Sequence, residues 1–288
     1  MKPILHDLQP VRHTAQLSSG RVEYWDYNPQ GNPTIVVIHG YRGTHHGLER
    51  IIAELPNVRF IVPDLPGFGE SAPLTGTHSI PAYADTMAEF ITAQQLTGHT
   101  VLGHSMGSIV AAELAVTHPD IMSSLILVNP IAAHPLKGAS GLIVRPSIVY
   151  HWLGGKALPA KLGRKLLDSK AFLLFGSVLM AKTRQPELRR WIHDQHTTHM
   201  REYDNPRMLY EAYLASLSGT VRERAPHISV PTLLIAGRQD ELAPPKAQHE
   251  LVGELENATL IMIDHVGHLI HYEKPAEAAG AIAEFLTR

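Results

Sequence analysis

The sequence contains no cysteine among its 288 residues. This absence excludes disulfide bonds, a thiolate nucleophile and any cysteine-ligated metal site. The chain also lacks the roughly 20 consecutive apolar residues that cross a bilayer, and its N-terminal stretch MKPILHDLQPVRH lacks the apolar core of a signal peptide. A large charge of one sign is missing too, because the net charge is only −2. We therefore expect a soluble, cytoplasmic protein that binds no nucleic acid.

Short apolar runs alternate with helix-like stretches along most of the chain. Such runs are typical of buried strands, and they lie at 34–38, 58–62, 100–102, 125–128, 231–236 and 258–263. Residues 20–25 alternate between polar and apolar residues, which is typical of a half-buried strand. Helical spacing occurs at 81–96, 109–116 and 275–286. This alternation predicts an α/β fold with a mostly parallel central sheet and helices on both faces.

The alternation stops between residues 134 and 227, where the pattern is helical and irregular. The sequence thus predicts a core made of residues 1–133 and 228–288, with a helical cap inserted at 134–227. The insertion has 15 lysines and arginines against 7 aspartates and glutamates, a net charge of +8. It also contains apolar runs at 141–144, 148–153 and 171–180. Most of these apolar residues are expected to pack against the core; the functional alternative is a basic-rimmed tunnel for a lipophilic acyl group, or contact with an anionic membrane surface.

A candidate nucleophile lies at Ser105, in the pentapeptide Gly-His-Ser-Met-Gly at 103–107. The pentapeptide follows an apolar strand-like run and precedes an alanine-rich helical stretch. A serine at such a turn has its Oγ exposed, and flanking glycines allow the neighbouring backbone to approach closely.

Serine is a poor nucleophile at neutral pH, so it needs a base, and the base needs an orienting acid. Asp240 follows the apolar run at 231–236, and His268 follows the run at 258–263. Both loops leave the carboxyl ends of predicted parallel strands, where open α/β sheets have their sites. The order serine, acid, histidine is that of the α/β hydrolases.

With these motifs the chain resembles the α/β-hydrolase superfamily, in particular its capped serine hydrolases of the esterase and lipase type. Further motifs of the resemblance are Ile-His-Gly at 38–40, Asp-Leu-Pro-Gly-Phe-Gly-Glu-Ser at 64–71 and Gly-Arg-Gln-Asp at 237–240. The resemblance implies Ser105 as nucleophile, His268 as general base and Asp240 as orienting acid. It also implies an oxyanion hole formed by the backbone N–H groups of Tyr41 and Met106.

Several neighbouring residues compete for these roles. Glu241 adjoins Asp240, but the motif spacing favours Asp240. The position after the preceding strand, which carries the acid in some relatives, holds Asn129 and cannot supply a charged acid. Further histidines and an aspartate are interpreted as packing, surface or structural groups: His39, Asp64, His104, His265 and His271. For His45 and His46 a role towards the substrate stays open.

Metal binding is not expected, although the chain has 19 histidines. His193, His196 and His199 recur every three residues on a predicted helix, so they drift around its face. No nearby acid or cysteine completes an obvious ligand set, and we interpret the helix as solvated.

We therefore expect a serine hydrolase that cleaves a carboxylic ester, with a lipophilic small-molecule substrate and no cofactor. A carbon–carbon bond hydrolase, a thioesterase and a lactonase stay open as alternatives on the same fold. A non-catalytic ligand receptor on a hydrolase scaffold is the alternative from another class. The sequence predicts no oligomeric state.

Overall fold

A computed structural model describes residues 8–134, 136 and 140–287. Residues 1–7 of the predicted core, residues 135 and 137–139 of the predicted insertion, and residue 288 lie outside the described residues. So do the side chains of Leu142 and Ile143 in the apolar run at 141–144.

The described chain contains one eight-stranded sheet. Its strands are β1 (Val11–Leu17), β2 (Gly20–Tyr27), β3 (Thr34–Ile38), β4 (Arg59–Pro63), β5 (His99–His104), β6 (Met122–Val128), β7 (Thr232–Gly237) and β8 (Ala258–Ile263). They lie in the order β1-β2-β4-β3-β5-β6-β7-β8. Strand β2 pairs antiparallel with both β1 and β4, and all other neighbouring strands pair parallel. The predicted mostly parallel sheet is confirmed.

The helices surround this sheet and follow its strands along the chain. They are α1 (Glu49–Ala53), α2 (Ile80–Ala93), α3 (Met106–Thr117), α4 (Ser140–Trp152), α5 (Ala160–Leu167), α6 (Lys170–Met180), α7 (Pro186–His199), α8 (Pro206–Leu217), α9 (Pro245–Glu254), α10 (Ile270–Glu273) and α11 (Pro275–Leu286). Helix α2 begins earlier than the predicted 81–96, because the Ser79 side chain accepts a hydrogen bond from the Ala82 N–H (3.3 Å) and Pro81 stands in the first turn.

Alternate residues of the central strands pack on opposite faces of the sheet. In β3, for example, Val36 and Ile38 belong to the core formed with α2 and α3, whereas Ile35 and Val37 belong to the core formed with α1 and α11. All residues of β3 are buried, which explains its continuous apolar run. Strand β8 is only half-buried, since it lies at the edge of the sheet.

The described part of the segment between β6 and β7 folds into α4–α8. This segment contacts the loop that follows β4 through its backbone. The Gly69 N–H donates to the Glu202 carbonyl and the Asp204 N–H to the Gly67 carbonyl, both at 2.9 Å, and Phe68 forms a β-bridge with Tyr203. Among the described residues, no helix has the length and apolar character of a membrane span.

Candidate active site

The turn between β5 and α3 holds Ser105 in a strained backbone conformation. Its φ is 53° and its ψ is −120°, a combination that costs about 1–3 kcal/mol in a non-glycine residue. A side chain at Gly107 would collide with the carbonyl oxygens of Ile38 and His39, so only glycine allows α3 to approach β3 this closely. The turn thus directs Ser105 upward from the carboxyl end of the sheet.

The hydroxyl of Ser105 lies 2.9 Å from Nε2 of His268. The histidine belongs to the loop after β8 and is 7% exposed. On its other side, Nδ1 of His268 lies 2.8 Å from Oδ2 of Asp240, in the loop after β7. The structure therefore brings together the three side chains that the sequence predicts as a catalytic set.

The carboxylate of Asp240 accepts hydrogen bonds on both of its oxygens. The backbone N–H groups of Leu242 (2.9 Å) and Ala243 (3.0 Å) donate to Oδ1. Burial alone would raise the pKa of Asp240, but the neighbouring imidazole of His268 and these hydrogen bonds lower it below its ordinary value. An ionised carboxylate only accepts, so Nδ1 of His268 carries the proton and Nε2 presents its lone pair to Ser105.

Asn129 is a site residue that the sequence reasoning missed. It follows β6 with a φ of 47°, is fully buried, and donates from Nδ2 to Oδ2 of Asp240 (2.9 Å) and to the Gly267 carbonyl (3.2 Å). The sequence predicts only that Asn129 is not the acid, whereas in the structure it donates a hydrogen bond to that acid. Its position directly after a central strand was the available signal, because the carboxyl ends of neighbouring parallel strands meet.

Two backbone N–H groups near Ser105 are candidates for an oxyanion hole. Met106 begins α3, so its N–H has no intrahelical partner and lies at the positive end of the helix dipole. Tyr41 follows Gly40, where an added Cβ would lie 3.1 Å from the Cβ of Ser105. In the described part of the chain, neither N–H donates a backbone hydrogen bond.

The side chains of residues 41 and 42 donate hydrogen bonds to the segment between β6 and β7. The Tyr41 hydroxyl donates to the Leu209 carbonyl (3.2 Å). The Arg42 guanidinium donates to the carbonyls of Met200 (2.9 Å) and Leu167 (3.2 Å), at the C-terminal ends of α7 and α5. Arg42 is 5% exposed, so this cation is stabilised largely by the carbonyls of two helix ends.

Below this turn, His39 and Asp64 make hydrogen bonds within the core. The Leu65 N–H donates to Nε2 of His39 (2.8 Å), so Nδ1 carries the proton and donates to the Gly40 carbonyl (2.8 Å). Asp64 accepts from the backbone N–H groups of His45 (2.7 Å) and Glu70 (3.0 Å). Both residues thereby fix the loops under the site.

The remaining histidines near the site are neutral or lie away from the cavity. Burial lowers the pKa of His104 to about 3 and that of His271 well below its ordinary value, and the two rings pack 4.3 Å apart. His45 stacks on Trp25 (3.4 Å) in the core. His265 is exposed.

Glu241, the rival acid, forms an ion pair with Lys182 (2.9 Å). The side chain of Glu241 is 62% exposed. The carboxylate of Glu241 therefore interacts with Lys182, whereas His268 interacts with Asp240.

A cavity of about 450 Å³ lies above Ser105. Its floor includes Ser105, Met106 and His268, and its walls come largely from the segment between β6 and β7. The apolar wall residues include Val144, Phe172, Leu173, Phe175, Leu179, Met180 and Leu217. Such a cavity accommodates an apolar chain next to the serine hydroxyl.

The histidines of α7 do not gather into one metal site. His193 and His196 both bond the Ser177 hydroxyl, at 2.7 and 2.6 Å, and His196 is only 4% exposed. The interpretation of a solvated helix is therefore wrong for His196, because α7 packs this residue against α6.

The ligand atoms of His46, His199 and Glu202 do lie within 4.8 Å of one another. These groups are already engaged in hydrogen bonds: His46 with Glu49 (3.2 Å) and His199 with Glu202 (2.9 Å). They are the described residues that come nearest to a metal-ligand set.

Comparison with known proteins gives a match over most of the chain. The sequence model of the alpha/beta hydrolase fold matches residues 33–275. Lipase 3 of Moraxella sp. is 26% identical over 265 residues, covering 90% of this chain and 78% of that protein. The magnesium-chelatase 30 kDa subunit of Rhodobacter capsulatus is 26% identical over 276 residues, covering 93% of this chain and 92% of that protein.

Solved structures share the architecture. The esterase EaEST from Exiguobacterium antarcticum superposes with a TM-score of 0.79 at 19% identity, covering 96% of this chain and all of that chain. The names of these similar proteins indicate different activities, so the comparison identifies the fold and the family rather than a substrate.

Proposed function

The chain belongs to the alpha/beta hydrolase fold family, and from this premise we propose that it is a serine hydrolase that cleaves carboxylic esters with a lipophilic acyl group. The observation that carries the proposal is the continuous relay from Asp240 through His268 to the Ser105 hydroxyl, with contacts of 2.8 and 2.9 Å. Its position beneath an apolar cavity supports a lipophilic substrate.

In the proposed first half-reaction, Ser105 Oγ attacks the ester carbonyl carbon while Nε2 of His268 takes the hydroxyl proton. The negative charge on the carbonyl oxygen is stabilised by the N–H groups of Tyr41 and Met106. Loss of one such donor typically costs about 2.7–4 kcal/mol of transition-state stabilisation. The imidazolium then donates its Nε2 proton to the leaving alcohol as the carbon–oxygen bond breaks, and the acyl group stays on Ser105.

In the second half-reaction, a water attacks the acyl carbon while His268 takes its proton. Collapse of this intermediate breaks the bond to Ser105 Oγ, which recovers the proton from His268, and the carboxylic acid leaves. Asp240 stabilises the imidazolium in both halves because its carboxylate remains charged. The proposed reaction uses no cofactor.

The domain division belongs to the same proposal. Residues 1–133 and 228–288 form the catalytic core, and residues 134–227 form a cap that covers Ser105 and supplies the acyl-binding walls. The cap residues that line the cavity, Phe172 and Leu179 among them, support this division.

The test is hydrolysis of p-nitrophenyl esters from acetate to laurate, with Ser105→Ala as the control. We expect a medium or long optimum, and a loss of turnover of roughly 10⁴-fold or more in Ser105→Ala and His268→Ala. A preference for acetate alone would contradict the lipophilic substrate.

The alternative reactions are separated by the same assay. Faster turnover of matched thioesters, lactones or β-diketones would assign a thioesterase, a lactonase or a carbon–carbon bond hydrolase instead. A receptor would be acylated once at Ser105 without sustained release of acid.

A further inference from the structure

Helix α6 (Lys170–Met180) is apolar on the side that faces away from the protein. Its inner side contributes the buried Leu173 and Ser177. The opposite side carries Leu174, Phe175 and Val178, which are 42%, 62% and 47% exposed. A helix on a protein surface normally has charged or polar residues on its exposed side. The outer side of α6 lacks such residues at these positions.

The exposed apolar residues of the described chain concentrate in the segment that includes this helix. Nine of the eleven large hydrophobic residues exposed in the described chain lie between residues 149 and 179. We call them together the α4–α6 surface: Val149, Trp152, Leu153, Leu158, Leu162, Leu174, Phe175, Val178 and Leu179. Scattered exposed hydrophobic residues need no explanation, but a cluster of this kind indicates a binding surface.

Contacts through Tyr150 connect the helices that carry these residues. The ring of Tyr150 in α4 stacks on Phe172 in α6 with centroids 3.6 Å apart. The Tyr150 hydroxyl donates to the Leu166 carbonyl of α5 at 2.5 Å. The C-terminal part of α4 therefore contacts both α5 and α6.

The segment of the chain that carries the α4–α6 surface is almost entirely basic. Between residues 121 and 186 the sequence has a single acidic residue, Asp168, and its carboxylate already pairs with Arg164 (3.4 Å). Lys156, Lys161, Lys165 and Lys170 are all exposed, and none of them forms an ion pair with another described residue. An apolar face bordered by unpaired lysines complements a surface with an apolar interior and anionic head groups.

The cavity above Ser105 reaches this surface. Phe175 and Leu179 belong to the exposed α4–α6 surface and also line the cavity. An apolar chain can therefore pass from whatever covers the surface to the serine hydroxyl along an apolar wall.

We propose that the α4–α6 surface docks onto an anionic lipid bilayer, with α6 lying in the interface and its lysine border on the lipid head groups. Delivery of a lipophilic ester from the bilayer into the cavity rests on the proposed function, whereas the docking itself does not. A second copy of the chain is disfavoured as the occupant, because a two-fold contact would bring like-charged lysines together.

Binding is measured by sedimentation with vesicles of phosphatidylcholine alone and of phosphatidylcholine with 30% phosphatidylserine. Of the three tryptophans, Trp152 is 43% exposed on the α4–α6 surface, Trp25 is 6% exposed in the core, and Trp191 is half-buried against Tyr272. Trp152 therefore serves as the reporter, and Trp152→Phe identifies its share of the emission. We expect binding to the anionic vesicles with a blue shift of the tryptophan emission. The shift is expected to disappear in Trp152→Phe, and binding is expected to fall with rising salt.

Variants of the α4–α6 surface are compared with matched variants elsewhere, to distinguish a loss of vesicle binding from a general effect of substitution. The double variant Leu174→Ser, Val178→Ser is expected to lower vesicle binding about tenfold or more, because it removes two apolar side chains from the contact with the bilayer. Val11→Ser is the control, because Val11 has the same 47% exposure as Val178 but lies on edge strand β1. Lys161→Gln with Lys165→Gln is expected to lower binding to anionic vesicles by a similar factor, with Lys246→Gln on α9 as the control.

The outcomes are distinct. Equal binding of the surface variants and their controls, or no vesicle binding by the folded wild type, would overturn the docking proposal. So would a concentration-dependent dimer that the Leu174→Ser, Val178→Ser variant dissociates. Vesicle binding without hydrolysis of any ester would leave the docking intact and overturn the proposed function instead.

Discussion

Asp240 accepts four hydrogen bonds, and only one of them comes from His268. The other three, from Asn129, Leu242 and Ala243, hold the carboxylate in place and keep it charged at neutral pH. A buried carboxylate without these donors would have a raised pKa and would orient the imidazole poorly. The charge and orientation of Asp240 therefore depend on hydrogen-bond donors that have no proposed part in the reaction themselves.

We expect Asp240→Asn to lower kcat for soluble p-nitrophenyl esters by about 10³–10⁴-fold, because an amide no longer stabilises the imidazolium or its correct tautomer. Glu241→Gln is the matched control. It is expected to stay within about threefold of the wild type, since the exposed Glu241 pairs with Lys182.

The double variant Asp240→Asn, Glu241→Gln tests whether Glu241 partly restores the activity that Asp240→Asn loses. Equal activity of the double variant and Asp240→Asn is expected. An Asp240→Asn enzyme that keeps more than a tenth of its activity would contradict the role of Asp240.

At the scale of elements, Arg42 joins the turn after β3 to the C-terminal ends of α5 and α7. Removing its guanidinium leaves the Leu167 and Met200 carbonyls without this charged donor. We expect Arg42→Met to lower the free energy of unfolding by about 2–4 kcal/mol, measured by urea denaturation.

Arg207→Met is the control for this prediction. Its side chain is 82% exposed and pairs with Glu211 on the same helix, so a change below about 0.5 kcal/mol is expected. A similar decrease in the free energy of unfolding in Arg42→Met and Arg207→Met would mean that Arg42 does not anchor these helices.

Gly176 of α6 lines the cavity, and a Cβ built at this position meets no atom within 4 Å. We expect Gly176→Leu to narrow the cavity proposed to bind the acyl chain, lowering kcat/KM for the decanoate ester about tenfold and changing kcat/KM for the acetate ester less than about twofold. Gly253→Leu on α9 is the control, because its Cβ also meets open space but lies outside the cavity. A uniform change across all chain lengths would contradict the assignment of this wall to acyl binding.

At the scale of the whole molecule, several buried histidines are neutral at physiological pH. Burial is the main cause that lowers the pKa of His104 and of His151 to about 3, and that of His196 to about 4. In the unfolded chain these groups titrate near 6.5. Unfolding therefore takes up protons at acidic pH, so the stability that these residues contribute is complete above about pH 6.5 and is lost as the pH falls towards 3–4.

Between pH 7.5 and pH 5.5, each of these three histidines is expected to lower the free energy of unfolding by about 1.4 kcal/mol, which gives about 4 kcal/mol together. Urea denaturation at the two pH values measures the difference. His104→Asn is expected to reduce the measured difference by about 1.4 kcal/mol, and His249→Asn, at an exposed position, is expected to leave it unchanged. An unchanged pH dependence in His104→Asn would show that His104 does not couple folding to protons.

The order of local patterns along the chain was enough to predict the fold. Continuous apolar runs such as 34–38 require helices on both faces of a parallel sheet, and the break at residue 134 was visible because helical spacing replaced those runs. The same reasoning predicted Ser105, Asp240 and His268 as candidates, since each follows a predicted strand at the edge where such sheets have their sites.

The sequence by itself determined seven of the eight strands and which side chains leave their carboxyl ends, because backbone pattern and turn residues are local properties. Strand β1 (Val11–Leu17) was not predicted, since it is largely exposed and has no apolar run. Only the tertiary structure decided which of those side chains meet. Asn129 bonds Asp240 across 111 residues, and Arg42 reaches carbonyls 125 and 158 residues away. Likewise, the outer side of α6 stays exposed although its composition resembles a buried helix, since burial depends on packing partners that no local pattern encodes.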